Sequence, residues 1–185
     1  IQIGSAAEYG QNKIPHKENI ICLPKSDYGH AKLNVTKHLL NLCNQRSFNG
    51  VVVRLFQVYG EQQNQDKIVP YILNNCKSNK KFKLTKGNQT RDFCYIRDVV
   101  KGIFLLLNTN DNINGEIFNI ASGKDISIKR LVSIVKKIVG RGQPIFGKMK
   151  FNKCEAIKSK ADIRKIKKKG WIPETNLETG LKLLL

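Results

Sequence analysis

The chain reads Val51-Val52-Val53-Arg54-Leu55-Phe56 after the turn signal Ser47-Phe48-Asn49-Gly50. Such a run of β-branched and apolar residues is typical of a strand that is covered on both faces of a parallel sheet. Upstream, Ser26 marks the start of a predicted helix that runs to about Cys43, with apolar residues spaced by three and four. These apolar positions are Tyr28, Ala31, Val35, Leu39 and Leu42. The opening stretch Ile1–Ser5 predicts another strand, so the order strand, helix, strand indicates a right-handed βαβ crossover.

The remaining sequence predicts short strands and helices in mixed order. Strands are expected over Phe82–Leu84 and Phe93–Ile96, on either side of the turn signal Lys86-Gly87-Asn88, and over Ile117–Ile120. Helices are expected over Ile68–Cys76, Val99–Leu107 with Asp98 as cap, Ile128–Val139 with Ser127 as cap, Lys158–Lys169 and Leu177–Leu185. The sequence therefore predicts an α/β protein.

The composition is that of a globular protein with an excess of positive charge. The 185 residues contain 33 Lys and Arg against 14 Asp and Glu, which gives a formal net charge of +19. A surface of this charge attracts phosphates, nucleic acid or acidic lipid headgroups. Because the sequence shows no helix-turn-helix pattern and no aromatic stacking platform, we expect no nucleic acid partner. The longest apolar run, Ile103–Leu107, is far shorter than the ~20 residues of a membrane span, so we expect no membrane partner.

The five cysteines lie far apart and form no C-x-x-C pair. An odd number at these spacings argues against a disulfide framework and against a zinc site. We therefore expect no metal and a cytoplasmic location.

Two Y-x-x-x-K spacings occur, and one of them falls on a predicted helix. Tyr28 and Lys32 lie one turn apart on the same side of that helix, where the ammonium favours the phenolate form of its neighbour. Such a pair can pass a proton to or from a sugar or alcohol oxygen. Ser5 ends the opening strand, at the edge where ligands of open α/β sheets bind, and its hydroxyl can hydrogen-bond the same oxygen. The second pair, Tyr9 and Lys13, falls in a polar loop and is interpreted as chance.

Six blocks of sequence, in order along the chain, resemble the extended short-chain dehydrogenase/reductase family of nucleotide-sugar epimerases, dehydratases and reductases. The blocks are Gly4–Gly10, Tyr28–Leu33, Arg54–Gly60, Arg91–Asp98, Phe118–Gly123, and Gly170–Pro173 before Leu177–Leu181. By this resemblance Ser5, Tyr28 and Lys32 form a catalytic triad. The resemblance also implies that Tyr28, Lys32 and Phe56 bind the cofactor, which is NAD or NADP.

The same resemblance implies a fold and an assembly. Residues 1–58 and 98–121 are expected to form the carboxyl-terminal part of a Rossmann-type, doubly wound parallel sheet that binds a dinucleotide. Residues 59–97 and 122–185 are expected to form a smaller α/β lobe that binds a nucleotide-diphosphate sugar. Members of the family pair as homodimers through helices that include the one carrying Tyr28, and we expect the same here.

The resemblance assigns the substrate to a further group of residues. Arg91 matches the arginine that grips the substrate pyrophosphate, a role that suits its planar fork; the alternative is an ion pair with Asp92 or Asp98. The other predicted substrate-binding residues are Gln57, Lys67, Phe82, Leu84 and Lys153. Lys153 is included because its neighbour Asn152 lacks the charge that relatives commonly place on the phosphates.

Departures from the family pattern bear on the reaction. Dehydratases carry an Asp-Glu pair directly after the hydroxyl residue, whereas this chain has Ala6 and Ala7, whose methyl groups exchange no protons. Glu8 is one step too far along to be assumed a replacement. The sequence therefore favours a 4-ketoreductase or a 4-epimerase, with a slight preference for the reductase.

The family's glycine-rich pyrophosphate turn does not occur in these residues. Together with the start at Ile1 and a single methionine, Met149, this absence predicts an amino-terminally truncated piece that is inactive in isolation. The alternative is a non-catalytic remnant or binding module of the same fold.

Overall fold

A computed structural model describes residues 1–46, 48–152 and 154–185. The strands are β1 Gln2–Ser5, β2 Val52–Leu55, β3 Gln57–Tyr59, β4 Lys81–Lys83, β5 Thr90–Tyr95, β6 Ile117–Ile120, β7 Asp125–Ser127 and β8 Gln143–Ile145. The helices are α1 Asp27–Asn44, α2 Ile68–Lys77, α3 Ile96–Leu107, α4 Ile128–Val139, α5 Arg164–Lys167 and α6 Leu177–Lys182. A 3₁₀ helix, Ala6–Tyr9, directly follows β1.

The main sheet has three parallel strands in the order β1-β2-β6. Val53 of the central strand β2 lies opposite Ile3 of β1 and Phe118 of β6. Because β2 has a neighbour on each side and is covered on both faces, its Val53 is fully buried. Ser5 and Leu55 are paired at the carboxyl ends of their strands, so the residues that follow them meet at one edge of the sheet.

Two smaller sheets complete the strand pairing. In the first, β5 runs parallel to β3 and antiparallel to β7, and in the second, β4 runs parallel to β8. One buried core joins these sheets to α2 and α4 and includes Ile72, Leu131 and Val135. A second core packs on the main sheet and includes Phe118 and Trp171.

Helix α1 lies against β1 and the 3₁₀ helix. It begins as predicted at Ser26, whose hydroxyl oxygen accepts a hydrogen bond from the Gly29 amide at 3.1 Å. Its buried positions are Gly29, Leu33, Thr36 and Cys43. The apolar positions that define the 3.6-residue period are instead exposed at Tyr28, Ala31 and Val35 and half-buried at Leu39 and Leu42. The buried face of α1 therefore combines three small residues with Leu33, and it does not coincide with the predicted apolar face.

Several element boundaries differ from the prediction. Asp98 does not cap α3, which begins at Ile96; its carboxylate accepts a hydrogen bond from the Thr175 amide at 2.9 Å. The long helix predicted over Lys158–Lys169 is limited to α5, because the segment before it is extended and forms a bridge between His16 and Ala161. The strands on either side of Gly87 do not pair with each other.

Candidate active site

A cleft of about 320 Å³ opens at the carboxyl ends of β1 and β2. Its lining residues come from the segments that follow β1 and β2, from the start of α1, from β5 and from the irregular segment before α5. They are Ser5, Ala6, Ala7, Gly10, Ser26, Tyr28, Leu55, Phe56, Gln57, Arg91, Asn152, Cys154, Glu155, Ala156 and Ser159. The cleft therefore brings together Ser5, Tyr28, Phe56, Gln57 and Arg91, five residues that the sequence predicted for catalysis, cofactor and substrate.

Ser5 is held in place by the start of the 3₁₀ helix. Its hydroxyl oxygen accepts a hydrogen bond from the Ala7 amide at 3.2 Å, and its own amide donates to Oε1 of Glu8 at 2.8 Å. Ser5 and Glu8 also form a capping box, in which the side chain of each residue accepts a hydrogen bond from the backbone amide of the other. The hydroxyl proton is not used in this arrangement and is available to an acceptor in the cleft.

Tyr28 reaches the same cleft from the first turn of α1. The helix approaches closely because Gly29 has no side chain: a Cβ there would lie 2.7 Å from the carbonyl oxygen of Ala7. Lys32 donates from Nζ to the carbonyl oxygen of Ile3 at 3.0 Å, and its Nζ lies 5.8 Å from the centre of the Tyr28 ring. A fixed ammonium thus lies beside an exposed phenol.

Arg91 extends from β5 to the cleft. Its guanidinium donates to Oε2 of Glu155 at 2.6 Å and to the carbonyl oxygens of Thr90 and Ala156 at 2.8 and 2.9 Å. The ion-pair partner is therefore Glu155, and neither Asp92 nor Asp98 takes that place.

The remaining predicted substrate residues lie elsewhere. Lys67 is exposed at the amino end of α2, outside the lining of this cleft. Phe82 and Leu84 are each 3% exposed in the core between the smaller sheets, so their side chains are not available to a ligand and only their backbone could contact one. Lys153 lies outside the described residues.

A buried polar network, not predicted from the sequence, lies beneath the cleft. Arg54 of β2 donates from Nε to Oε2 of Glu8 at 2.8 Å, and both side chains are almost completely buried. The guanidinium carbon of Arg54 lies 4.6 Å from the centre of the Tyr9 ring, and the Tyr9 hydroxyl donates to Asn119 at 2.7 Å. A charged residue within a buried apolar strand requires a partner of opposite charge. The position of Arg54 in the sequence could therefore have predicted a buried acidic partner.

Burial changes the acid-base behaviour of this network. Burial raises the pKa of the Tyr9 phenol, which therefore stays protonated and acts as a hydrogen-bond donor. Burial lowers the pKa of His16, which stacks on Tyr9 with ring centres 4.9 Å apart, to about 4. Tyr9 is thus a structural phenol, whereas Tyr28 is 58% exposed and faces the cleft.

The residues of the cleft fit the nicotinamide end of a dinucleotide. Phe56 supplies an aromatic wall, and the Tyr28 phenol supplies a hydrogen-bonding group suited to ribose hydroxyls. Lys32 is not part of the lining, but its ammonium lies 5.8 Å from the centre of the Tyr28 ring. No glycine-rich turn for a pyrophosphate occurs in the 185 residues. Within the described residues, no group of His, Cys, Asp and Glu side chains is arranged to hold a metal ion.

Three comparisons relate the chain to known proteins. A family model described as the NAD dependent epimerase/dehydratase family matches residues 1–121. The chain is 34% identical over 183 residues to a putative UDP-glucose 4-epimerase of Methanocaldococcus jannaschii, covering 95% of this chain and 58% of that protein. It is 25% identical over 187 residues to dTDP-4-dehydro-6-deoxyglucose reductase of Escherichia coli, covering 96% of this chain and 57% of that protein.

The structure superposes on that of UDP-glucuronic acid 4-epimerase from Bacillus cereus in complex with UDP-glucuronic acid and NAD. The TM-score is 0.91 at 30% identity, covering 98% of this chain and 58% of that one. The chain thus spans a little over half the length of these relatives. This likeness confirms the predicted fold class, a Rossmann-type parallel sheet with additional α/β structure.

Proposed function

The chain belongs to the NAD dependent epimerase/dehydratase family, and from this premise we propose that it forms part of a nucleotide-sugar 4-epimerase or 4-ketoreductase that uses NAD or NADP. The observation that carries the proposal is the single cleft shared by Ser5, Tyr28 and Arg91. A hydroxyl, a phenol and a guanidinium are the groups needed to bind a sugar oxygen, transfer its proton and anchor a diphosphate.

In this proposal the oxygen on C4 of the sugar lies between Ser5 and Tyr28. When the sugar is oxidised, the Tyr28 phenolate accepts the proton of this oxygen; when a 4-keto sugar is reduced, the phenol returns it. Ser5 donates a hydrogen bond to the same oxygen in both directions. Lys32, whose ammonium is held by the Ile3 carbonyl, is proposed to hold the nicotinamide end of the cofactor together with Tyr28 and Phe56. The bound cofactor supplies the acceptor or donor of the hydride on the sugar carbon.

Arg91 binds the diphosphate of the substrate in this scheme. Its guanidinium is only 15% exposed and is fixed in orientation by two backbone carbonyls, which prepares it for an anion in the cleft. Gln57 lies in the same lining and is proposed to bind the sugar. Lys67, Lys153 and the backbone at Phe82 and Leu84 remain proposed contacts to the nucleotide.

The cleft lining supports oxidation and reduction over dehydration. Elimination of water from a sugar requires an acid and a base near the reacting carbons. Ala6 and Ala7, which follow Ser5 directly, contribute only methyl groups and backbone to the lining. We therefore propose no dehydratase activity.

The assignment of chain segments to a cofactor-binding part and a substrate-binding part is also a proposal. Residues 1–58 and 98–121 would belong to the dinucleotide-binding part and residues 59–97 and 122–185 to the substrate lobe. The main sheet and the core between the smaller sheets support this division, although five residues of the proposed substrate lobe belong to the main-sheet core: Cys94, Ala161, Ile163, Ile166 and Trp171.

We propose a homodimer whose interface includes α1. The exposed apolar side of α3 supports a second part of the same interface. Ala31 and Val35 are exposed apolar residues on α1, and Val100, Phe104 and Leu107 form an exposed apolar stripe on α3. None of the helices in the described part of the chain is long and apolar enough to span a bilayer. The five cysteines are free thiols, in agreement with the proposed reducing, cytoplasmic location.

The function is tested by incubating the full-length protein with UDP- and dTDP-sugars, in the presence of NAD⁺ or of NADH and NADPH. A 4-epimerase interconverts two epimers without net change in NADH absorbance, whereas a 4-ketoreductase consumes one reduced cofactor for each 4-keto sugar. Binding of nucleotide sugars without turnover would instead support the non-catalytic binding module.

A further inference from the structure

We propose that Glu8 is a positioning residue, which together with Arg54 fixes the direction of the Ser5 hydroxyl in the cleft. This inference rests on the proposed function, because it assigns Glu8 a role that acts through Ser5.

Glu8 and Ala7 hold Ser5 from two sides. Oε1 of Glu8 accepts the Ser5 amide at 2.8 Å and so fixes its main chain, while the Ala7 amide donates to the Ser5 hydroxyl oxygen at 3.2 Å. With its oxygen held in place by the accepted bond, the Ser5 hydroxyl still has its O–H to donate to a further group. A donor is what a sugar oxygen requires as its proton moves to or from Tyr28.

Arg54 fixes the other oxygen of Glu8. It donates from Nε to Oε2 at 2.8 Å, with Glu8 0% and Arg54 2% exposed. Arg54 belongs to the central strand of the main sheet, so the capping box is tied to a strand that is paired on both sides. A buried ion pair of this kind contributes little net stability compared with apolar residues of similar volume, and its presence is better explained by the orientation that it imposes.

Gly4 makes room for this arrangement. A Cβ at position 4 would lie 2.6 Å from Oε1 of Glu8, a distance that would force the carboxylate away from the Ser5 amide. Glu8 itself is fully buried and is absent from the cleft lining, so it does not reach a substrate. Gly4, Glu8 and Arg54 therefore form one support beneath Ser5.

The test uses Glu8→Gln, which keeps the shape of the side chain. A carboxylate offers two acceptor oxygens and an amide only one, so either the Ser5 amide or Arg54 loses its partner. Gly4→Ser displaces Oε1 without changing the charge and is the second variant. Asp98→Asn is the matched control, because Asp98 is a buried carboxylate that accepts from Thr175 at a site outside the cleft lining.

In the full-length protein, Glu8→Gln and Gly4→Ser are expected to lower kcat by about tenfold or more, with little change in the KM for the nucleotide sugar. In a Ser5→Ala background they are expected to cause no further loss. In the 185-residue chain, amide exchange over Ser5–Tyr9 should be faster in both variants than in Asp98→Asn. An equal loss of kcat in both backgrounds, or an unchanged kcat, overturns the positioning role. If Ser5→Ala itself leaves kcat unchanged, the proposed function fails with it.

Discussion

The ammonium of Lys32 lies 5.8 Å from the centre of the Tyr28 ring. Lys32 is held there by its hydrogen bond to the Ile3 carbonyl, so the positive charge is fixed to β1 rather than free to move with solvent. The first prediction follows from this arrangement. Tyr28→Phe removes the proton-transferring group and leaves the ammonium and the cleft intact.

Tyr28→Phe is expected to reduce kcat of the full-length protein by roughly 10²–10⁴-fold, the usual contribution of general acid-base catalysis. Nucleotide-sugar binding, measured by calorimetry, should be retained. Tyr71→Phe is the control, because the Tyr71 hydroxyl donates to the Lys83 carbonyl outside the cleft. A Tyr28→Phe protein as active as the control would remove Tyr28 from the proposed mechanism.

The second prediction concerns the diphosphate. Arg91→Lys loses the planar fork of the guanidinium and should weaken UDP binding by about tenfold in titration calorimetry. Glu155→Gln keeps Arg91 but removes the competing carboxylate 2.6 Å away, and it should bind UDP at least as tightly as the unmodified chain. Equal weakening in both variants would show that the ion pair itself, and not Arg91, supports the site.

The third prediction is a pH dependence of stability from His16. Burial lowers its pKa from 6.5 to about 4, so the unfolded chain binds the proton more tightly than the folded chain. The contribution of neutral His16 to the free energy of unfolding is complete at pH values above 6.5, the pKa of histidine in the unfolded chain. It is lost as the pH falls from about 6.5 towards 4.

The loss is expected to be of the order of 3 kcal/mol or less. It is measured by urea unfolding at several pH values, comparing the unmodified chain with His16→Phe, which keeps an aromatic ring against Tyr9. The quantity compared is the change in the free energy of unfolding with pH. Carboxyl groups that titrate in the same range contribute to both proteins, so the difference between them gives the contribution of His16. His38→Gln alters an exposed histidine and should leave the slope unchanged. Parallel curves for the unmodified chain and His16→Phe would contradict the prediction.

The fourth prediction tests the proposed homodimer. Phe104 is 59% exposed between Val100 and Leu107 on α3, and Phe104→Lys would place a charge in this stripe. We expect the substitution to shift the protein from dimer to monomer in sedimentation equilibrium. Ile172→Lys, at an equally exposed apolar residue outside this stripe, should leave the dimer intact. The α3 stripe is not part of the interface if Phe104→Lys remains dimeric.

The fifth prediction concerns the cofactor. Because the 185 residues hold groups for the nicotinamide end and no glycine-rich turn, we expect this chain alone to bind NADH and NADPH weakly or not at all. Calorimetric titration checks this expectation, with UDP as the control ligand for a folded cleft. Binding in the micromolar range would show that the described residues suffice.

Strong local patterns predicted much of the fold. The run at Val51–Phe56 and the capped start of α1 are both found, because burial on two faces and a side-chain cap leave clear marks in sequence. Strands β7 and β8 were missed, since each has three residues and depends on partners far away in the chain. The Lys158–Lys169 periodicity was misleading, because Ala161 and Ile163 are buried by tertiary contacts rather than by a helix face.

The structure brings several predicted site residues together from different elements. Ser5 ends β1, Tyr28 lies in the first turn of α1 and Arg91 lies near the start of β5, and all three line the cleft. Glu155, the partner of Arg91, could not be predicted, since it lies 64 residues away in an irregular segment. The Glu8 and Arg54 pair was within reach, because a lone cation in a buried strand already implies an anion nearby.

The space above Gly4 also constrains how this chain can have diverged from its relatives. Since any Cβ at position 4 would collide with the Glu8 carboxylate, the two positions cannot vary independently. A Cβ at position 4 would also lie 3.2 Å from side-chain carbons of Arg54 and Val52, so a larger residue there requires changes on the neighbouring strand as well. The bare backbone at Gly4 thus couples the catalytic turn to the central strand.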